Sequence, residues 1–278
     1  MTLSIAPIGS CRIVDPLRRA RSKFGFAMNR GRSMGFTHSS PEAVQQLKFM
    51  RGEIDIPAEL WSCVSNVDRD EVLAQKHDVS DVYVVELSSE KILSHGDTYL
   101  QLNYLRTQFS DFFKDSARKN AYWKAIEKQT PDEVAAFLKE VWSETPEQQA
   151  QSEFLRHIRL RRADEAQTRA DIRYLRDTLG HVLFVTHVNA IEKTGAPIKT
   201  RDRFVKMVKH IAAEEGCAVY DPTDLVNETG QTNALEDDLN HYTETFKDIV
   251  AADWFDKHLS ETVATIQKAR GEESAAAG

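Results

Sequence analysis

Short β-branched runs alternate with longer segments of helical period along most of this chain. Val82-Tyr83-Val84-Val85 and His181-Val182-Leu183-Phe184-Val185-Thr186 are bounded by polar or turn residues, the pattern of strands buried on both faces. Ala218-Val219-Tyr220, between Gly216 and Asp221-Pro222, reads as a third strand. Leu3 to Ile8 reads as a fourth, with Pro7 placing it at a sheet edge or a bulge. Arg201 to Glu215 puts Phe204, Val205, Val208, Ile211 and Ala212 on one helical face and stops at Gly216. Ser40-Pro41 opens another helix, with Ser40 as N-cap and proline at the first helical position. Tyr242 to Lys268 reads as a long closing helix with Phe246, Ile249, Val250, Trp254, Leu259 and Val263 as its apolar positions. Strands separated by helices of this length imply βαβ units around a parallel sheet. The expected fold class is therefore α/β, a three-layer α/β/α sandwich.

The span from Tyr99 to Leu179 has a different pattern. It offers no convincing strand, and Thr130-Pro131-Asp132-Glu133 and Thr145-Pro146-Glu147-Gln148 both read as capped helix starts. Residues 99–179 are expected to be a helical insertion, either a cap over the site or a layer packed away from it. The expected organisation is one domain over residues 1–270 and a disordered tail over 271–278.

Composition narrows the function. With 278 residues, a hydrophobic share of 41% and a net charge of -7, the chain is an ordinary soluble one with no general affinity for nucleic acid or anionic membrane. The N-terminus lacks a signal-peptide pattern, and three scattered cysteines fit a reducing, cytoplasmic setting. One local excess stands out: Arg12, Arg18, Arg19, Arg21, Lys23, Arg30 and Arg32 face only Asp15. Such a run can steer an anionic substrate or can be a solvated helix face. The histidines show no metal-ligand spacing, so no metal is expected.

Two motifs carry candidate chemistry. Ile8-Gly9-Ser10-Cys11-Arg12 comes after the first strand and precedes a helix-like stretch from about Val14. A cysteine at a helix N-terminus is expected to have a lowered pKa and to be nucleophilic; the bland alternative is a small buried hydrophobe. Asp237-Asp238-Leu239-Asn240-His241-Tyr242 precedes the last helix. There an acid three residues before a histidine can orient the imidazole as a general base, or simply cap the helix.

A glycine-led turn at the start combined with Asp-x-x-His-Tyr at the end resembles the first and last sequence blocks of the SGNH/GDSL hydrolases. Phe26 to Thr37 is similar to their second block, and Asp81 to Ser89 occupies the place of the third. The resemblance covers most of the chain outside the insertion and implies an SGNH, flavodoxin-like layout. It also implies Cys11 as nucleophile, His241 as base and Asp238 as the carboxylate holding the imidazole, with Ser10 as fallback nucleophile. The oxyanion hole is expected from the backbone of Cys11 and Gly35, with Gly31 behind it. The Gly-x-Asn-Asp turn of most relatives is absent, and Ser88, Ser89 or Asn103 are the substitutes considered. Arg12 and His38 are candidate substrate contacts, His38 having a structural alternative. Most members read Gly-Asp-Ser where this chain reads Gly-Ser-Cys, a variant that looks like the GSCFA branch and like capsule-biosynthesis acetyltransferases.

The implied activity is acyl transfer through an acyl-cysteine, with no resident cofactor and with acyl-CoA or a phosphopantetheine-bound acyl group as donor. An ester or thioester hydrolase with the same residues is the first alternative, and a non-catalytic binding member of the fold is the second. The expected partner is a small-molecule or carrier-protein-bound acyl substrate, without nucleic acid or membrane; the sequence leaves the oligomeric state open.

Overall fold

A computed structural model describes residues 2–276. Its strands in chain order are β1 (Leu3–Ile8), β2 (Phe26–Met28), β3 (Val82–Leu87), β4 (Lys91–His95), β5 (Thr98–Leu100), β6 (Ile158–Arg162), β7 (Val182–Thr186) and β8 (Ala218–Tyr220). Five of them form a parallel main sheet in the order β2-β1-β3-β7-β8. Side-chain alternation along these strands divides the core in two. Ile5, Val82, Val84, Leu183 and Val185 face the helices Cys11–Phe24 and Glu244–Trp254, meeting Ile13, Leu17, Phe246, Val250 and Trp254. Ala6, Ile8, Tyr83, Val85 and Phe184 face the helices Ser40–Met50, Glu165–Leu179 and Lys199–Glu214. Each fully buried Phe or Leu in these layers contributes about 1.5–3 kcal/mol of transfer free energy. The expected three-layer α/β sandwich is the fold observed.

Pro7 does not put β1 at the sheet edge. β1 lies between β2 and β3, but β2 pairs only with Leu3 to Ile5, so the ladder on that side has ended before Pro7. Ile5 directs its carbonyl to that same side, where it accepts the Asn29 N–H at 2.9 Å. The N–H that proline lacks would face the same way, so its absence breaks no bond. β2, only three residues long, is the strand of the main sheet that the hydrophobic pattern did not reveal.

The insertion is not purely helical. β4, β5 and β6 form an antiparallel sheet in the order β5-β4-β6. β6 alternates Ile158 and Leu160 with three arginines, too little apolar character to be read as a strand. This sheet and the helices from Leu102 to Leu155 enclose their own core, with Trp61, Leu93, Leu100, Phe112, Tyr122, Leu138 and Ile158. Thr130 and Thr145 form the expected capping boxes. The helix Glu165–Leu179, counted with the insertion from sequence, instead packs Ile172 and Leu175 against the main sheet. Helix ends also shift: Ser39, not Ser40, is the N-cap of Ser40–Met50, and the Gly-Ser-Cys helix starts at Cys11, not near Val14. At the C-terminus the helix Ser260–Ala276 runs through most of the expected tail, an alanine- and glutamate-rich stretch that favours helix; residues 277 and 278 lie outside the described residues. Among the described residues no helix is long and apolar enough to cross a membrane.

Candidate active site

The Asp238–His241 turn is built before any chemistry is asked of it. An isolated bridge pairs Leu235 with Tyr242, the Glu236 N–H donates to the His241 carbonyl at 2.9 Å, and Leu239 closes the turn at φ 56°. Asp238 Oδ1 accepts the backbone N–H groups of Asn240 at 2.8 Å and His241 at 3.0 Å. Its Oδ2 lies 2.5 Å from His241 Nδ1. Burial pushes the Asp238 carboxyl up, yet the Asn240 N–H and the His241 ring outweigh it and hold it below its ordinary value. An ionised carboxylate only accepts, so Nδ1 carries the ring proton toward Asp238, and Nε2 has no hydrogen-bond partner among the described residues. The pair expected from Asp-x-x-His is therefore formed.

Cys11 is the first residue of its helix. Ser10 caps that helix, its buried Oγ accepting the Arg12 N–H at 3.3 Å, which leaves it poorly placed as a fallback nucleophile. The expectation of a lowered cysteine pKa is not met. Burial raises the Cys11 thiol above its ordinary value; Arg12 lowers it by less, and Glu86 and Asp15 raise it further. At rest the side chain is a thiol that needs a base. No hydrogen bond joins its sulfur to His241 among the described residues.

A buried triad links the two motifs, and none of its roles was read from the sequence. Arg12 is turned into the protein, donating through Nε to Glu86 Oε1 at 2.8 Å and forming a second, shorter contact through Nη2. Its Nη1 reaches His187 Nε2 at 2.9 Å and the Asn240 carbonyl at 3.2 Å. Residue 12 thus touches residue 240, which ties the start of the Cys11 helix to the turn that carries His241; Cys11 itself is not among the residues that line the cleft beside that turn. Glu86 Oε2 accepts the Ser10 N–H at 2.6 Å. Burial alone would push Glu86 up, but Arg12 and then His38 hold it below the usual carboxylate value. Arginine only donates, so His187 accepts at Nε2 and gives its Nδ1 proton to the Val188 carbonyl at 2.9 Å. Burial, Arg12 and Arg201 keep that ring neutral. Arg201 completes the frame by donating to the Leu239 carbonyl and to Asn240 Oδ1, both at 2.8 Å. Gly9 is required here because a Cβ would sit 2.5 Å from the Glu86 Cβ. The sequence signal for the triad was a glutamate inside an otherwise apolar strand.

A cleft of about 520 Å³ opens beside this frame, lined by Arg12, His38, Ser88, Ser89, Asn103, His187, Arg201, Asp238 and His241. It shares His38, Ser89, Lys91, Leu102, Arg106 and Arg162 with a second lobe of about 360 Å³. The second lobe runs into the insertion over Leu93, Leu100, Trp123 and Leu160, with Lys119 and Lys124 at its wall. The insertion therefore helps to shape the cleft.

The oxyanion candidates are placed less evenly. Gly35 does not line the cleft: its N–H is directed at Ser33 Oγ, 3.4 Å away, and a Cβ there would lie 2.6 Å from the Tyr104 hydroxyl. Gly31 packs against the Lys76 carbonyl. The N–H groups of Ser88 and Ser89 both donate to the His38 carbonyl, at 2.8 and 3.0 Å. Asn103 lines the cleft from an exposed position. In the basic run, Arg18 pairs with Asp15, and Arg19 pairs with Glu244 and Asp248, fastening the first helix to Glu244–Trp254.

A parallel α/β sandwich with a thiol opening its first helix and an Asp-x-x-His pair before its closing helices has the layout of the SGNH hydrolases and related acyltransferases. More narrowly, the chain belongs to the TviD N-terminal domain family, which it matches over residues 3–257. It is 34% identical over 274 residues to the Vi polysaccharide biosynthesis protein TviD of Salmonella typhi, covering 97% of this chain and 33% of that protein. The chain thus spans about a third of the length of that relative. Among solved structures, the acetylxylan esterase Axe2 of Geobacillus stearothermophilus matches with a TM-score of 0.42 and 13% identity, over 91% of this chain and 92% of its own. A variant of that esterase gives a TM-score of 0.43 with 14% identity, over 92% and 95% of the two chains. Likeness this remote transfers no residue roles.

Proposed function

We propose that this protein is an acyltransferase that works through an acyl-Cys11 intermediate, with His241 as general base and Asp238 as its orienting carboxylate. The observation that carries the proposal is the hydrogen bond from Arg12 to the Asn240 carbonyl, which couples the start of the Cys11 helix to the Asp238–His241 turn. In the first half-reaction, His241 Nε2 takes the Cys11 proton while sulfur bonds to the acyl carbonyl carbon. The tetrahedral intermediate collapses, its bond to the donor breaks, and His241 returns the proton to the leaving group. In the second, an acceptor hydroxyl loses its proton to His241 and attacks the thioester. The new C–O bond replaces the C–S bond, and the proton goes back to Cys11. Asp238 stabilises the imidazolium in both halves.

The raised Cys11 pKa supports this order of events, because the nucleophile is generated only when His241 accepts the proton. The two lobes of the cleft support a reading in which one takes the donor and the other the acceptor. Lys119, Lys124 and Arg106 over an apolar floor suit the phosphates and arm of acyl-CoA or of a phosphopantetheine-bound acyl group. The relative named for polysaccharide biosynthesis supports a saccharide hydroxyl as acceptor. Three free cysteines are consistent with a reducing, cytoplasmic setting.

Intact-mass spectrometry after incubation with an activated acetyl ester tests the reading. One acetyl adduct on the wild type, absent from Cys11→Ala, is expected. No adduct, or an adduct retained by Cys11→Ala, would overturn it. Turnover with and without an added saccharide then separates transfer from hydrolysis.

A further inference from the structure

We infer that His38 is a catalytic hydrogen-bond donor of this site, replacing the amide donor that the missing Gly-x-Asn-Asp turn would supply, and that Gln101 of the insertion fixes its tautomer. This role rests on the acyl-transfer function proposed for Cys11. Immediately after β3, Ser88 and Ser89 have their backbone N–H groups committed to the His38 carbonyl. The next side chain, Glu90, is engaged by Arg162 and Arg203. The turn therefore presents no amide side chain to an oxyanion.

His38 faces the candidate cleft instead. It lines the same cleft as Asp238, His241 and Arg12, and its backbone is clamped: its N–H donates to Glu42 at 2.9 Å and its carbonyl accepts Ser88 and Ser89. Gln101 sets the ring orientation. As N-cap of the helix Leu102–Gln108, Gln101 accepts the N–H groups of Asn103 at 2.6 Å and Tyr104 at 2.9 Å through Oε1. The amide cannot flip without losing both bonds, so its Nε2 end faces His38 Nδ1 at 3.0 Å. An amide nitrogen only donates, hence Nδ1 is the acceptor and the ring proton sits on Nε2. Burial, with Arg12 and His241 against an opposing pull from Glu86, keeps the ring neutral. Nε2–H is bonded to no other group among the described residues. A neutral, oriented donor of this kind stabilises a developing oxyanion without reorganisation. Gln101 is the positioning residue.

Two measurements test the inference. The first is single-turnover acetylation of Cys11 by an activated ester, monitored by mass spectrometry. His38→Ala is expected to acetylate to the same stoichiometry about 10²–10³-fold more slowly. The loss should fall on the rate constant at saturation, not on KM, and His38→Gln should recover part of it. Equal rates in wild type and His38→Ala would overturn the donor role while leaving acyl-Cys11 intact; no acetylation of the wild type would remove both. The second is 15N NMR of the histidine rings in the unmodified protein, which depends on no variant folding. His38 is expected protonated at Nε2 with Nδ1 bare, and a proton on Nδ1 would overturn the assignment.

Discussion

Two carboxylate pairs meet at this rim, and they differ in almost every physical respect. Arg12 and Glu86 are 8% and 0% exposed in their side chains, whereas His241 and Asp238 are 58% and 46% exposed. The buried pair sits in low dielectric, tied also to Ser10, His187 and Asn240. The exposed pair has solvent on one side and a short local turn on the other. A buried pair is valuable because removing one partner leaves an uncompensated charge, while an exposed pair adds little to stability. Architecture and the proposed chemistry are thus divided: the buried charges hold the rim in shape, and the exposed pair is the one proposed to move protons.

The sharpest way to break this contrast is His241→Ala. It should slow Cys11 acetylation by about 10²–10⁴-fold, the range for losing a general base. Stability should change by less than about 1 kcal/mol. Single-turnover rates and urea denaturation on the same sample read both numbers. A large loss of stability would show that the dyad is structural.

Glu86→Ala should behave in the opposite sense. It strands the Arg12 guanidinium in the interior and is expected to cost about 3–5 kcal/mol, read from the urea midpoint. Activity should fall as well, because the Ser10 N–H loses its acceptor and Arg12, which holds the Asn240 carbonyl, loses the carboxylate that fixes it. A variant as stable as wild type would refute the scaffold role.

Glu42 sharpens the comparison because it is buried like Glu86 but is held by neutral donors, the His38 N–H and the Ser39 hydroxyl, both at 2.9 Å. Burial pushes its pKa up to about 7. Its unfolded value is about 4.3. The folded state therefore holds this proton more tightly, and the resulting stabilisation is present below about pH 4 and lost as pH rises through about 7. On the order of 3–4 kcal/mol is at stake. Urea denaturation at pH 5 and pH 8 should show that decline in the wild type and a flatter response in Glu42→Gln. Identical pH slopes for the two proteins would exonerate Glu42.

Much of this layout was legible in the chain. β3, β7 and β8 are short apolar runs with clear boundaries, and both proline-led capping boxes of the insertion are local signals complete within four residues. The Asp238–His241 pair was legible for the same reason: three residues separate the partners, so one turn suffices to join them. The elements that escaped were β2, β4, β5 and β6, too short or too charged to show a period, and every partnership between distant positions. Arg12 looked like a substrate contact among surface arginines, yet 74 residues separate it from the carboxylate that buries it. The thiol departs from its expected pKa because the helix N-terminus is a local feature and burial is a global one, and here burial prevails.

The sequence by itself determined the alternation of strands and helices, the thiol at the head of the first helix and the acid–imidazole pair, because each depends on neighbours along the chain. Only the tertiary structure decided that Arg12 turns inward, that Gln101 sets the proton on His38, and that the insertion walls the cleft. Those outcomes depend on charges and hydrogen-bond donors brought together from distant segments, where low dielectric and geometry select the partner.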